Sequence, residues 1–122
     1  MKQLLITSQA PTPTAPYSQG LKVGNRVYVA GQRPAHPETG VIPEGIEAQT
    51  RQCLENVRAI LAEGGADFSH VVKVSAFLAD INYFAEFSKV YAEYFTEPFP
   101  VRTTIACGLR GILVEIDVIA EL

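Results

Sequence analysis

The sequence predicts a two-layer α+β fold, a mixed β-sheet carrying two helices on one face. Its segments read in the order βββαβαββ, in which two strand-then-helix steps are set among hairpin-like strand pairs. The 122 residues, 48% of them hydrophobic, suffice for one ordinary core, so residues 1–122 are expected to form a single domain.

From the first hairpin onward, each element has its own signal. "GLKVGNRVYVAGQ" holds two β-type runs joined by Gly24-Asn25, a pair suited to the positive φ values of a tight hairpin. "RPAHPETGVIPEG", rich in Pro and Gly, reads as a loop. "IEAQTRQCLENVRAILAEGG" then sets Cys53, Leu54, Val57, Ile60 and Leu61 on one helical stripe, which Gly64 and Gly65 terminate. "HVVKVSAFLAD" is a strand rich in β-branched residues. "DINYFAEFSKVYAEYF" returns to helical spacing through Phe84, Phe87, Tyr91 and Phe95, capped by Asp80 or Asn82, and Pro98 and Pro100 prevent its continuation. Two last strands follow, near 101–107 and 112–120, around a short turn containing Gly108 and Gly111.

Composition removes several function classes. Cys53 and Cys107 offer neither a disulfide framework nor metal-ligand spacing, and His36 and His70 lie far from both, so no metal site is expected. Both cysteines read as small core residues, and both histidines as surface groups rather than bases. A net charge of −3, with no basic stripe interleaved with aromatics, argues against nucleic-acid capture. The aromatic residues of the second helix, at helical spacing, belong to the core rather than to an RNA-stacking surface. The first residues lack the apolar stretch of a secretory signal, and no apolar run approaches the roughly 18 to 20 residues that span a bilayer. A cytoplasmic protein without membrane association is expected.

Arg102, in "PFPVRTTIACG", carries the chemistry. A guanidinium stays ionised, so a strand that holds it needs a partner for it, either a carboxylate of the protein or one of a ligand. In the last strand Val114, Ile116 and Val118 share one face, and Glu115 and Asp117 the other. If the last two strands pair as a hairpin about residues 108–111, matching their apolar sets puts Val101, Thr103, Ile105 and Cys107 toward the helices. Arg102 and Thr104 then join Glu115 and Asp117 on the opposite face. Two readings follow: Arg102 pairs across the strands with Asp117 or Glu115, or it waits for a ligand in a pocket under a second copy of the chain. The sheet's second face needs such a cover, because Arg26 to Ala30 and Val71 to Leu78 put apolar side chains on both sides.

The segments "APYSQG", "VYVAGQ.P..P.TG", "Q..Q.L.NV.AIL...G", "V.K...FL.D...F", "FPVRTT" and "VEIDVIA", in that order over nearly the whole chain, resemble the RidA family of enamine/imine deaminases, also called the endoribonuclease L-PSP family. The resemblance implies a chorismate-mutase-like fold, a homotrimer, and a site in each cleft between subunits. It also implies hydrolysis of reactive 2-enamino and 2-imino acids, such as 2-iminobutanoate and 2-iminopropanoate, to 2-keto acids and ammonia, without a cofactor. Carried over by motif, Arg102 binds the substrate carboxylate, Glu115 directs water, Tyr17 closes the cleft and Gly31 presents backbone groups. Thr104 and Ser88 stand at substrate-binding positions where some relatives have cysteine and asparagine. With the short final turn "GLRGIL", these differences bear on substrate scope. Two other classes stand beside the deaminase: a non-catalytic trimeric module binding a small carboxylate, and a ribonuclease or translation-inhibiting RNA binder.

Overall fold

Gly24-Asn25 closes a two-residue hairpin in the computed structural model, which describes residues 1–122; Gly24 takes φ 58°, and Asn25 has no positive φ, the primed turn with glycine first. The strands are β1 (Gln3–Leu5), β2 (Gly20–Val23), β3 (Arg26–Gln32), β4 (Val71–Leu78), β5 (Val101–Ala106) and β6 (Val114–Glu121). The helices are α1 (Ile46–Glu63) and α2 (Phe84–Tyr91), so the chain runs βββαβαββ as the sequence predicts.

All six strands join one mixed sheet in the order β1-β2-β3-β6-β4-β5. β6 is antiparallel to both β3 and β4 and lies between them, while β4 and β5, joined through α2, pair in parallel. This corrects one expectation. Residues 101–107 and 112–120 do not form a hairpin, because both edges of β6 are taken by β3 and β4, and β5 is an edge strand beside β4.

Both helices cover one face. The α1 stripe of Cys53, Leu54, Val57, Ile60 and Leu61 is fully buried, and each large side chain removed from water there contributes roughly 2 kcal/mol. Opposite it lie Val114, Ile116, Val118 and Ala120 of β6, with Val27, Val74 and Leu78. Gly64 and Gly65 end α1 as expected, their N–H groups donating to Leu61 and Ala62 carbonyls at 2.9 and 3.0 Å. α2 is shorter than its spacing suggests, stopping at Tyr91, yet Phe95 still enters the core and stacks on Tyr91 with ring centroids 4.4 Å apart. Asp80, rather than Asn82, supplies the cap: its carboxylate accepts from the Asn82 N–H at 2.8 Å, at the head of the 3₁₀ turn Ile81–Tyr83 that leads into α2.

The opposite face has no covering layer within the chain. It presents Tyr28, Val101 and Ile105 at 36%, 66% and 44% exposure, among polar neighbours such as Ser75, Glu115 and Asp117. No helix is long and apolar enough to cross a membrane.

Candidate functional site

Register fixes where each candidate side chain points. Arg102 lies opposite Val74, and Thr104 opposite Ala76; both partners are buried against the helices, so Arg102 and Thr104 point to the helix side of the sheet. Glu115 and Asp117 lie opposite Phe77 and Ser75 and point to the open side. The expected gathering of Arg102, Thr104, Glu115 and Asp117 on one face is therefore wrong for a single chain. The cause is the pairing: β5 takes its faces from β4, and Val101 and Ile105, expected against the helices, are exposed on the open side. Cys107, expected in the core, is only half-buried just beyond β5.

On the helix side, at the sheet edge, Arg102 sits in a box made by α2. Its guanidinium donates to Ser88 Oγ at 3.1 Å and lies 5.3, 5.2 and 4.6 Å from the ring centroids of Phe84, Phe87 and Tyr91. None of the ion pairs in the structure involves Arg102. Aromatic faces attract the cation and restrain it without neutralising it, so its charge stays available to an incoming anion. Thr104 follows on the same face, half-buried. Neither Asp117 nor Glu115 holds Arg102. Burial pushes the Tyr91 hydroxyl up to about 12, against the pull of the nearby Arg102 charge, and that hydroxyl has no hydrogen-bond partner.

On the open side a second group assembles around Glu115. The β3–β6 ladder breaks register between Val29 and Gln32, and this bulge lays Gly31 against the glutamate. A Cβ at Gly31 would stand 2.5 Å from Glu115 Oε2, so only glycine permits this approach. Glu115 lines a groove of about 600 Å³ with Thr14, Arg33, Leu109 and Arg110. A small adjoining cleft holds Tyr17 and Gly31 and shares Thr14 and Arg33 with the groove. Tyr17 is half exposed there.

Buried amides that sequence reasoning passed over build the frame of this group. Asn56 Nδ2 donates to the carbonyls of Arg33 and Ala35, both at 3.0 Å, and pins the strand exit to α1. Gln49 donates to the Pro43 carbonyl and accepts from the Leu113 N–H, which sets the approach to β6. Gln19 Nε2 donates to the carbonyls of Thr7, Ala10 and Pro11, tying the first loop across the sheet end. The signal was present in the sequence for two of them: Gln49 and Asn56 fall at helical spacing with Cys53 and Ile60, on the side that faces inward.

The remaining titratable candidates have structural tasks. Cys53 is buried, donates to the Gln32 carbonyl at 3.2 Å, and has its thiol pushed well up by burial, which suits packing rather than nucleophilic attack. His36 Nδ1 accepts from the Glu38 N–H within its loop, and His70 completes a capping box with Asp67. No group of three His, Cys, Asp or Glu side chains is arranged to hold a metal ion.

Comparison with known proteins agrees with this architecture. The family model described as endoribonuclease L-PSP matches residues 7–122. A RutC family protein of Pyrococcus abyssi is 46% identical, over 98% of this chain and 96% of its own. The 2-iminobutanoate/2-iminopropanoate deaminase of Escherichia coli is 36% identical over 98% of each chain. The crystal structure of E. coli TdcF with bound serine superposes with a TM-score of 0.93 at 34% identity, covering 98% of each chain. The mixed six-stranded sheet with two helices is thus the chorismate-mutase-like fold shared by these structural neighbours.

Proposed function

The chain belongs to the endoribonuclease L-PSP (RidA) family, and on that premise we propose that it is a hydrolytic deaminase of reactive 2-enamino and 2-imino acids, working in clefts between copies of itself in a homotrimer. One observation carries the reading: Arg102 and Glu115, the two groups the chemistry needs together, point to opposite faces of one sheet. Each protomer then offers two half-sites. One holds Arg102, Ser88 and Thr104 at the β5 edge; the other holds Glu115, Gly31 and Tyr17 on the open face. A head-to-tail interface joins them.

In such a cleft Arg102 grips the substrate carboxylate through two parallel charge-assisted bonds and fixes the position of the imine carbon. Ser88 Oγ and the three rings keep the guanidinium aimed, and Thr104 adds a hydroxyl one step along the strand. Glu115 takes a proton from water as its oxygen bonds to the iminium carbon, returns that proton to the nitrogen of the carbinolamine, and takes the hydroxyl proton as the C–N bond breaks, so that ammonia leaves and the carbonyl forms. The Glu115 carboxylate also favours the iminium form that water attacks. Gly31 offers backbone groups to the bound acid, and Tyr17 closes the mouth. The scheme uses only these side chains and water.

A coupled assay tests the proposal: threonine dehydratase generates 2-iminobutanoate, and 2-oxobutanoate release is followed with and without the protein. Acceleration by the wild type and its loss by about 100-fold in Arg102→Ala are expected, the scale of an aimed charge-assisted contact removed. Wild-type protein that binds the keto acid but leaves its release unchanged would instead support a non-catalytic carboxylate-binding module.

A further inference from the structure

The arginines of the chain divide cleanly. Arg26, Arg51 and Arg58 each stand within salt-bridge distance of a glutamate. The other three, Arg33, Arg102 and Arg110, do not, and these are the three at the proposed half-sites. Arg102 is accounted for by the substrate carboxylate, whereas Arg33 and Arg110 have no task in the proposed hydrolysis.

Arg33 is held from two sides. Its carbonyl accepts from the buried Asn56 at 3.0 Å, directly after the Gly31 bulge, and its guanidinium reaches across to the Arg110 carbonyl at 3.4 Å, on the turn before β6. The side chain therefore lies along the Glu115 groove. The charged residues lining that groove are Arg33, Arg110 and Glu115; Asp117, further along the same strand face, does not line it. With Arg102 supplied from the facing half-site, three cations meet one anion, an excess of two positive charges. A substrate with one carboxylate leaves much of that excess unmatched, and a second carboxylate offsets one further positive charge.

We infer that this groove selects imino acids bearing a second acidic group, the imines of acidic amino acids, with Arg33 as the specificity-determining residue that receives the distal carboxylate. The inference rests on the deaminase reading for its chemistry and on the meeting of the half-sites for its charge count.

Two measurements test it separately from that reading. In calorimetric titrations of the assembled protein, 2-oxoglutarate is expected to bind about tenfold more tightly than 2-oxobutanoate, as one further charge-assisted contact provides. Arg33→Gln should bring the two affinities together, and Arg33→Lys should keep part of the difference. In the second measurement an amino-acid oxidase, with catalase present, generates imines from glutamate and from 2-aminobutyrate. The ratio of their accelerations should favour the glutamate imine and fall in Arg33→Gln. Equal or weaker binding of the dicarboxylate by wild type, or a preference untouched by Arg33→Gln, overturns the inference. If no imine is accelerated but the binding preference holds and depends on Arg33, the deaminase reading fails and the selectivity stands.

Discussion

At the scale of single residues, Gly31 gives the sharpest test, because one methyl group there meets the proposed catalytic carboxylate. A Cβ would lie 2.5 Å from Glu115 Oε2 and 3.1 Å from its Cδ, so Gly31→Ala must turn the carboxylate aside. Only the far end of a flexible side chain has to move, and the ladder of β3 and β6 is untouched. Keto-acid release in the dehydratase-coupled assay should fall by about tenfold or more, while the melting temperature moves by no more than about 3 °C. A variant with full activity would show that Glu115 needs no fixed orientation and is not the group directing water. Glu115 itself was legible in the sequence, since strict alternation in "VEIDVIA" separates Glu115 and Asp117 from the buried Val114, Ile116 and Val118. The contact with Gly31 was not, because a bulge shifts β3 by a residue and no local pattern marks it.

The element that sequence reasoning misplaced is β5, and the reason is physical. Strand parity tells which residues share a face but not which face is inward; that depends on the neighbour. A connection long enough to cross β4 carries the chain from β5 to β6, and the central slot between β3 and β4 goes to β6, the strand with the cleaner apolar row. β5 is left at the edge with Val101 and Ile105 exposed and Arg102 turned toward α2. By contrast α1 was readable in full, since a stripe repeated over five turns admits only one inward side. The contact of α2 with β5 yields its own prediction. Tyr91 buries a hydroxyl without a partner, a state that costs about 1 kcal/mol or more, so Tyr91→Phe should stabilise the protein by about that amount near neutral pH. The sign of its pH dependence follows from linkage. The folded-state pKa of about 12 stands above the ordinary value of 10.0, so the stability associated with the neutral phenol is complete below pH 10 and is lost as pH rises toward 12. The advantage of Tyr91→Phe in denaturant melts should accordingly widen across that window. A destabilised phenylalanine variant would mean that the hydroxyl is bonded in the assembled protein.

For the whole molecule, the property on which the proposed function turns is that the two faces of one sheet each carry half of the proposed site. The α2 side bears a cation restrained by rings and a hydroxyl but unmatched by any acid; the open side bears an acid set in a groove with unmatched arginines. The open face is also the one that leaves Tyr28, Val101 and Ile105 in water, so in the proposed assembly another copy that covers it would remove apolar surface and join the half-sites in one event. A mixing experiment distinguishes this arrangement from a site within one chain. Arg102→Ala and Glu115→Gln should each be inactive as pure assemblies in the coupled assay. In assemblies refolded from an equal mixture, a cleft is complete when its arginine comes from the Glu115→Gln chain and its glutamate from the Arg102→Ala chain. Random placement makes that true of about one quarter of clefts in any closed ring with head-to-tail interfaces. Recovery of roughly a quarter of wild-type activity on mixing is therefore expected, with none if Arg102 and Glu115 must come from the same chain. Size-exclusion chromatography with light scattering on the same samples gives the subunit number, and a monomer that retained activity would contradict the shared cleft outright.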